Sequence, residues 1–448
     1  MKKQLSFLFL LVQFCSYSQC WQNVASGGAT VHGIMPNGSL WAWGLNNLGQ
    51  VGDGSTSNKN FPVRIGESNN WKSVNLLSFH SLALQNDASL YVFGGNNYGQ
   101  LGDGTTTDRS IPTPIAAGST WKVASAGVYH SVAVRSDGTL WAWGRNNTGQ
   151  LGDGTLIDRN VPVQIGSDTD WDFVSAGWDY TLAKKTNGTL WAWGKNDTGA
   201  LGNGTLTDLT TPTQIGNDSN WSQISAGWGY NVALKSTGTI WIWGGYYEGQ
   251  FSSNHVPFQI GTDSDWRSIT GGDDHHAAIK TNGTLWAAGD NGSGQLGNGT
   301  TVDETNLVQI GTRTDWKSVY AAGYQYTVAL TNDGELWSWG QNNLGQLGDG
   351  TNSGHIIPTM VDCPPLLATT AFSIQTIAIS PNPAVSTLYI KNHGTQAIDQ
   401  ITVTDATGKK VLQLQAVSEI NVQLLPKGIY FIKVTAGKQV YKNKFLKE

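Results

Sequence analysis

Trp121-Lys-Val-Ala-Ser-Ala-Gly-Val-Tyr-His-Ser-Val-Ala-Val-Arg-Ser-Asp-Gly-Thr-Leu-Trp-Ala-Trp-Gly144, followed by Arg145-Asn-Asn-Thr-Gly-Gln-Leu-Gly-Asp-Gly-Thr155 and Val161-Pro-Val-Gln-Ile-Gly166, decides the architecture. Ser131 to Arg135 and Thr139 to Trp143 alternate apolar and polar residues with period two, which reads as a strand pair. Asp137-Gly138 between them suits a tight hairpin that needs positive φ. Trp121 to Ala126 and Pro162 to Ile165 add two strands, the proline fitting an edge. The unit recurs: Trp21, Trp71, Trp121, Trp171, Trp221, Trp266 and Trp316 are separated by 50, 50, 50, 50, 45 and 50 residues. Self-similarity at that period marks an array of identical supersecondary units. Seven four-stranded units with no helical period predict an all-β, seven-bladed β-propeller; an open solenoid of the same units is the rival.

Composition agrees, since 56 Gly and 20 Trp in 448 residues with only 13% charged residues describe a turn-rich, aromatic-rich β protein. Net charge is -5, but residues from 366 onward carry nine Lys against four acids, so the preceding body is acidic. An acidic body without a basic stripe excludes nucleic acid as an expected partner. Residues 1–18 read as a secretory signal peptide: Lys2 and Lys3, an apolar stretch from Leu5 to Phe14, then small residues around a cut. A lipid-modified Cys20 is the weaker reading of that leader. The apolar part is too short for a membrane span, and no other segment is a transmembrane candidate.

Cys20 precedes the first repeat and Cys363 follows the last. Were the last unit to dock on the first as units dock on each other, the two would fall a few residues apart in register. A disulfide sealing the ring is therefore expected; two unrelated thiols are the alternative.

Ser125-Ala-Gly-Val-Tyr-His-Ser-Val-Ala-Val, Asp137-Gly-Thr-Leu-Trp-Ala-Trp-Gly and Asn146-Asn-Thr-Gly-Gln-Leu-Gly-Asp-Gly together resemble the repeat of the regulator of chromosome condensation family, over about residues 21–362. The resemblance implies a seven-bladed propeller and says less about activity. After Cys363 the tryptophans end, and short strand-like runs from Ile377 to Val434 read as a small C-terminal β-sandwich. Ser380-Pro-Asn-Pro-Ala, Asp405-Ala-Thr-Gly-Lys-Lys-Val and Leu425-Pro-Lys-Gly-Ile-Tyr-Phe-Ile-Lys-Val resemble the C-terminal sorting domain of type IX secretion cargo. That resemblance implies export through the outer membrane, with release or surface anchoring. The expected domains are a leader at 1–18, a propeller at 19–363, a linker at 364–372 and a sorting domain at 373–448.

Residues that recur at one repeat position belong to the fold. His80, His130 and His275 share a position with Tyr180, Tyr230 and Tyr326, which argues against a catalytic histidine. Asp53, Asp103, Asp153 and Asp349 exchange with Asn203 and Asn298, as turn residues do. Asp168, Asp170, Asp172, Asp218, Asp263 and Asp265 read as solvated turns rather than a calcium loop. Asp273-Asp274-His275-His276 resembles a metal cluster, but adjacent strand residues point to opposite faces, so no metal site is expected. No nucleophile elbow, phosphate loop or zinc-protease helix occurs.

Subtracting the repeat isolates the candidates. Seven Trp begin repeats and eleven lie in the Leu-Trp-Ala-Trp-Gly segments, leaving Trp178 and Trp228. Both follow the Gly of Ser-Ala-Gly, at the position held elsewhere by Gly28, Ser78, Val128, Asp273 and Tyr324. The next position varies as well, through Phe79, Tyr129, Asp179, Asp274 and Gln325. Phe79, Tyr129, Trp178, Asp179, Trp228, Asp273, Asp274 and Tyr324 are thus the binding candidates; filling gaps between blades is the other role open to them. The expected function is a secreted or surface-displayed, non-enzymatic binding module for an extracellular protein or glycan, without cofactor. Within the family the resemblance also implies protein inhibition as a subtype. Guanine-nucleotide exchange and glycan cleavage are the alternatives, weakened by the uniform repeats and the lack of an acid pair.

Overall fold

The computed structural model describes residues 20–245, 254–364, 377–380, 383–392, 397–405, 409–415, 417–436 and 439–448. The proposed leader, most of the linker and the shortened loop of the fifth repeat lie outside them. The chain divides into two units, Met1–Pro364 and Pro365–Glu448.

The first unit holds seven four-stranded antiparallel sheets, each built from one contiguous stretch in sequence order. Blade 3 runs Trp121–Ala126, His130–Arg135, Leu140–Gly144 and Arg159–Gln164. Its outer strand begins earlier than the sequence suggests. A register shift between Ala142 and Gly144 lets Gly144, at φ 100°, pair with Arg159. Between the third and fourth strands, the Asn146 carboxamide donates to Asp153 at 3.0 Å and to the Thr155 and Ile157 carbonyls, while its oxygen accepts from Leu151 N–H. Asp153 is in turn held by Arg159 at 2.8 Å, so the aspartate of Gly-Asp-Gly is a turn fastener, as the Asn exchange implied.

The seven spaced tryptophans are buried; all seven join their blade to the preceding one, and five have a second job. The Trp171 N–H donates at 3.2 Å to the carbonyl of Gly138, the hairpin glycine of the preceding blade. A Cβ on Gly138 would stand 1.9 Å from the Thr169 carbonyl, so a side chain there would displace that backbone; blade 2 makes the same joint through Ala88, at φ 66°. The second job was not legible in sequence: Trp171 and Trp191 hold the Lys185 ammonium at 4.9 and 4.7 Å from their ring centroids. Asp168 and Asp170 close on the same ammonium at 2.6 and 2.9 Å. Lys235 with Trp221, Trp241 and Asp218, and Lys280 with Trp266, Trp286 and Asp263, repeat the arrangement. The acidic clusters therefore face cations of this chain, which gives a physical reason for their recurrence that no calcium ion is needed to supply.

Side chains near the ring axis join neighbouring blades in two belts. The Ser125 hydroxyl accepts from Ala176 N–H, Ser175 from Ala226 N–H and Ser225 from Gly271 N–H, each at 3.0 Å. In the second belt, His80 Nε2 lies 2.8 Å from Ser131 Oγ, and that hydroxyl donates to the Gln100 carbonyl at 2.7 Å. With its proton committed there, Ser131 can only accept, so His80 is the neutral Nε2–H tautomer. His130 repeats the contact with Thr181, and the Tyr180 hydroxyl donates to Asn231 Oδ1 at 2.8 Å.

The seam between blades 7 and 1 uses the same joints. Trp21 N–H donates to the Gly334 carbonyl at 3.1 Å, the Tyr326 hydroxyl to the Thr30 carbonyl at 3.0 Å, and Trp43 Nε1 to the Gln346 carbonyl at 3.0 Å. Cys20 and Cys363 are joined in a disulfide across this seam. The second unit pairs a three-stranded sheet with a four-stranded one. Leu388 and Ile420 of the first pack with Ile401, Val403, Ile432 and Phe445 of the second in one core, a small sandwich.

Replacing both cysteines by serine is expected to lower stability by about 2–4 kcal/mol, read as a lower melting temperature of a chain that still forms its blades. Acid should weaken the ring as well. Burial lowers His32, His80 and His130 from 6.5 to about 3. The unfolded chain then takes up protons below pH 6.5 that the folded ring refuses, and stability falls as pH drops from 6.5 toward 3. Each such histidine removes about 1.4 kcal/mol per pH unit. His80→Tyr with His130→Tyr, the residue of blades 4, 5 and 7, should flatten the decline, measured as denaturation midpoints between pH 4 and 7.

Candidate functional site

The seven residues that the fold leaves free come together. Gly28, Ser78, Val128, Trp178, Trp228, Asp273 and Tyr324, one from each blade, line a single pocket of about 160 Å³ with Leu77, Phe79 and Tyr129. Below it a channel of about 400 Å³ is lined by the inner strands, including Ser125, Ser175 and Ser225. Those hydroxyls are committed to the first belt, so variable chemistry is concentrated at the pocket mouth. Each variable residue sits on the short link between the first two strands of its blade, and the belts on either side fix where that link points.

The rim has two unlike halves. On the aromatic half, Trp178 and Trp228 meet edge to face with centroids 4.7 Å apart and planes at 73°. Phe79 stacks on Tyr129 at 5.5 Å, and Tyr98 meets Tyr129 at 5.0 Å. Trp228 is 47% exposed, an unusual state for a tryptophan in a chain that buries most of the others. Cations back this half: the Arg145 guanidinium lies 5.1 Å from the Tyr98 centroid, and Lys195 lies 5.2 Å from that of Trp178. Both are neutralised locally, Arg145 by Asp179 at 3.8 Å and Lys195 by Asp197 at 2.9 Å.

The other half is acidic. Burial, reinforced by the charge of Asp274, pushes Asp273 up to about 7 against the pull of a Tyr324 N–H hydrogen bond. Asp290 is also raised, by burial and by the charges of Asp274 and Asp303. Gln325 Nε2 donates to Asp290 at 3.1 Å, and its Oε1 accepts from Ser293 Oγ at 2.8 Å. Tyr324 and Gln325 hold φ of 58° and 56°, a left-handed pair of non-glycine residues. Blade 7 carries one residue more than the others between its tryptophan and the belt tyrosine Tyr326. The extra residue is absorbed in this strained turn, which lifts Tyr324 over the pocket. Such strain persists where the surroundings hold it, and it clusters at working surfaces.

Of the eight candidates, the structure gathers Phe79, Tyr129, Trp178, Trp228, Asp273 and Tyr324 in the pocket. Asp179 and Asp274 are not pocket walls. Asp179 is only 6% exposed and accepts from Gln150 Nε2 at 3.1 Å, with burial raising its carboxyl. Asp274 stands beside Asp273 and lies 3.4 Å from His275 Nδ1. His275 turns its Nε2 to Thr327 at 2.8 Å, as the belt requires, so the Asp-Asp-His-His run does not converge. Among the described residues no group of three His, Cys, Asp or Glu is placed to hold a metal ion. Arg145, Lys195 and Asp290 were missed. All three follow the Trp-Gly or Ala-Gly that ends a third strand, a position that also varies between repeats.

The model of the regulator of chromosome condensation repeat matches residues 37–84, 87–134, 137–183, 187–234 and 333–378, more than half of the chain. A second model of the same repeat matches 122–150, 171–200, 266–295 and 317–346. The secretion system C-terminal sorting domain matches residues 378–448, which makes the chain cargo of the type IX route, secreted or held at the bacterial cell surface. Among curated relatives, the Ultraviolet-B receptor UVR8 of Arabidopsis thaliana is 36% identical over 72 residues, 16% of each chain. The E3 ubiquitin-protein ligase HERC2 of Homo sapiens is 37% identical over 73 residues, 15% of this chain and 2% of the ligase. Both matches thus span a small part of those proteins. In solved structures the fold recurs in human WBSCR16, at TM-score 0.66 and 21% identity over 73% of this chain and 95% of that one. Prp20p from Saccharomyces cerevisiae follows at TM-score 0.64 and 20% identity, over 77% and 89%. Among the described residues no helix is long and apolar enough to cross a membrane.

Tyr324→Gly relieves a left-handed residue and is expected to raise stability by about 1 kcal/mol, measured by denaturant unfolding. A loss of stability would mean that the ring needs the Tyr324 side chain for packing.

Proposed function

Because this chain belongs to the regulator of chromosome condensation repeat family and ends in a secretion sorting domain, we propose that the exported propeller is a non-enzymatic binding module. Its partner is an extracellular macromolecule captured at the pocket mouth. The observation that carries this reading is the gathering of all seven fold-free positions into one pocket with two Trp side by side. Everything around them is fastened by the inter-blade belts, so residue identity at the mouth is at liberty to follow a partner. Rigid aromatic side chains on a fixed frame lose little conformational entropy on binding, which is why Trp and Tyr dominate hot spots. The mouth offers aromatic faces, two neutralised cations and three carboxylates, a set suited to recognition.

Nucleotide exchange on a small GTPase is the activity of the family's nuclear founder and has no support in an exported chain. Glycan cleavage would need two carboxylates flanking a scissile bond in distinct protonation states. Asp273 and Asp274 are instead neighbours on one link of one blade.

Partner capture from the surrounding medium by the full chain, followed by the same experiment with Trp178→Ala and Trp228→Ala together, tests the proposal. The double variant is expected to fold and to bind at least about 30-fold more weakly, the loss of one strong hot spot. Unchanged capture would overturn the reading, and collapse of the ring would assign the pair to packing.

A further inference from the structure

We infer that the pocket mouth is built to receive a cationic side chain, Lys or Arg, projecting from a protein partner, with its aliphatic stem along Trp178 and Trp228 and its charge at Asp273. This deepens the binding reading proposed above and rests on it.

The acidic half of the rim holds Asp273, Asp274 and Asp290. Arg145 and Lys195 on the aromatic half each have a carboxylate within 3.8 and 2.9 Å. Among the described residues no Lys or Arg pairs with Asp273, Asp274 or Asp290. Elsewhere in the chain acidic turns are met either by a cation, as Lys185 closes on Asp168 and Asp170, or by backbone N–H groups, as at Asp108 and Asp158. At the mouth a cation from outside would find the aspartate-and-tryptophan setting that Lys185, Lys235 and Lys280 occupy within the chain.

Shape and chemistry agree. Asp273 lines the pocket and leans over the backbone of blade 7, where a Cβ on Gly323 would stand 2.7 Å from its Oδ2. The bare glycine gives the carboxylate its room, and the Tyr324 N–H fixes one side of it. The same pocket is lined by Trp228 from the neighbouring blade and Trp178 from the one before it, with Phe79 and Tyr129 further round the ring. A Lys or Arg stem packs on apolar surface while its head meets a carboxylate and aromatic faces. The chain itself demonstrates the geometry, since Lys235 sits 4.7 and 3.5 Å from the Trp221 and Trp241 centroids and 2.6 Å from Asp218. A sugar would present hydroxyls all round its ring. Ser78, Tyr129, Tyr324 and Asp273 could meet some of these, so an amino sugar is the competing ligand in the test.

The test uses the full chain with Nα-acetyl-lysine methylamide, its uncharged counterpart Nα-acetyl-norleucine methylamide, and glucosamine, titrated by ligand-observed NMR. The lysine probe is expected to bind in the millimolar range, at least about tenfold more tightly than norleucine. Asp273→Ser, which installs the residue that blade 2 carries as Ser78, should remove that preference while the melting temperature stays near the parent's. Asp273→Asn serves as the second variant, with the same outcome expected. Equal binding of lysine and norleucine, or an undiminished preference in both variants, overturns the inference. Glucosamine binding more tightly than the lysine probe overturns it in favour of an amino sugar. Partner capture lost in the double Trp variant but retained in Asp273→Ser leaves the binding module standing and removes the cationic ligand.

Discussion

The structure depends on a joint made between each blade and the next, where a backbone N–H of one blade meets the hairpin carbonyl of its predecessor, that of a glycine except at Ala88 in blade 2. Trp171 to Gly138 and Trp221 to Gly188, both at 3.2 Å, are the same bond, and Trp21 to Gly334 at 3.1 Å closes the set. A sheet of four short strands with exposed edges is marginal alone, so the stability of each blade resides largely in its neighbours. The belts of Ser hydroxyls and of His or Tyr rings add direction to that dependence, each blade reaching toward the one that follows. A closed array must repeat such a joint without drift. The chain does so although its repeats differ in length, because the differences fall in links and loops outside the joints.

Much of this was legible in sequence because a ring of repeats writes its contacts at a fixed spacing. The position that contacts the next blade is the same position in each unit, so Trp121, Gly138 and His130 announce themselves by recurrence. Cys20 and Cys363 fall opposite each other in register for the same reason. The cation cages were hidden because each combines residues from three parts of a unit, such as Asp168, Trp171 and Lys185, none of which forms a motif alone. At the mouth, subtraction of the repeat found the residues after Ser-Ala-Gly. It stopped short of Arg145, Lys195 and Asp290, which the topology brings to the same rim from the start of a later loop. The strained turn at Tyr324 was written in the sequence as one extra residue, but a count of residues does not reveal which backbone angle absorbs it.

Division of labour between frame and mouth explains how one chain can be both uniform and specific. Inter-blade contacts use residues that recur from blade to blade: glycines, hydroxyls and the buried His, Tyr and Trp rings. The mouth uses large aromatic and acidic residues at positions that vary. Asp273 and the Trp rings line one pocket, so a carboxyl group and apolar surface are presented together rather than segregated. This arrangement gives orientation as well as affinity to whatever enters.

The disulfide at the seam has a mechanical meaning. Among the described residues blade 7 takes its four strands from Trp316–Val361, and its outermost strand, His355–Val361, pairs with the third strand alone. Load arriving along the backbone from the C-terminal side would peel that strand first, one hydrogen bond at a time, and the ring would open like a zip. Cys363 diverts the load before it reaches the strand, passing it by a covalent link to Cys20 and into blade 1. The two ends of the propeller then bear tension as a pair, and a protein hauled through an export channel or tugged at a cell surface is pulled on a closed hoop rather than on a loose end.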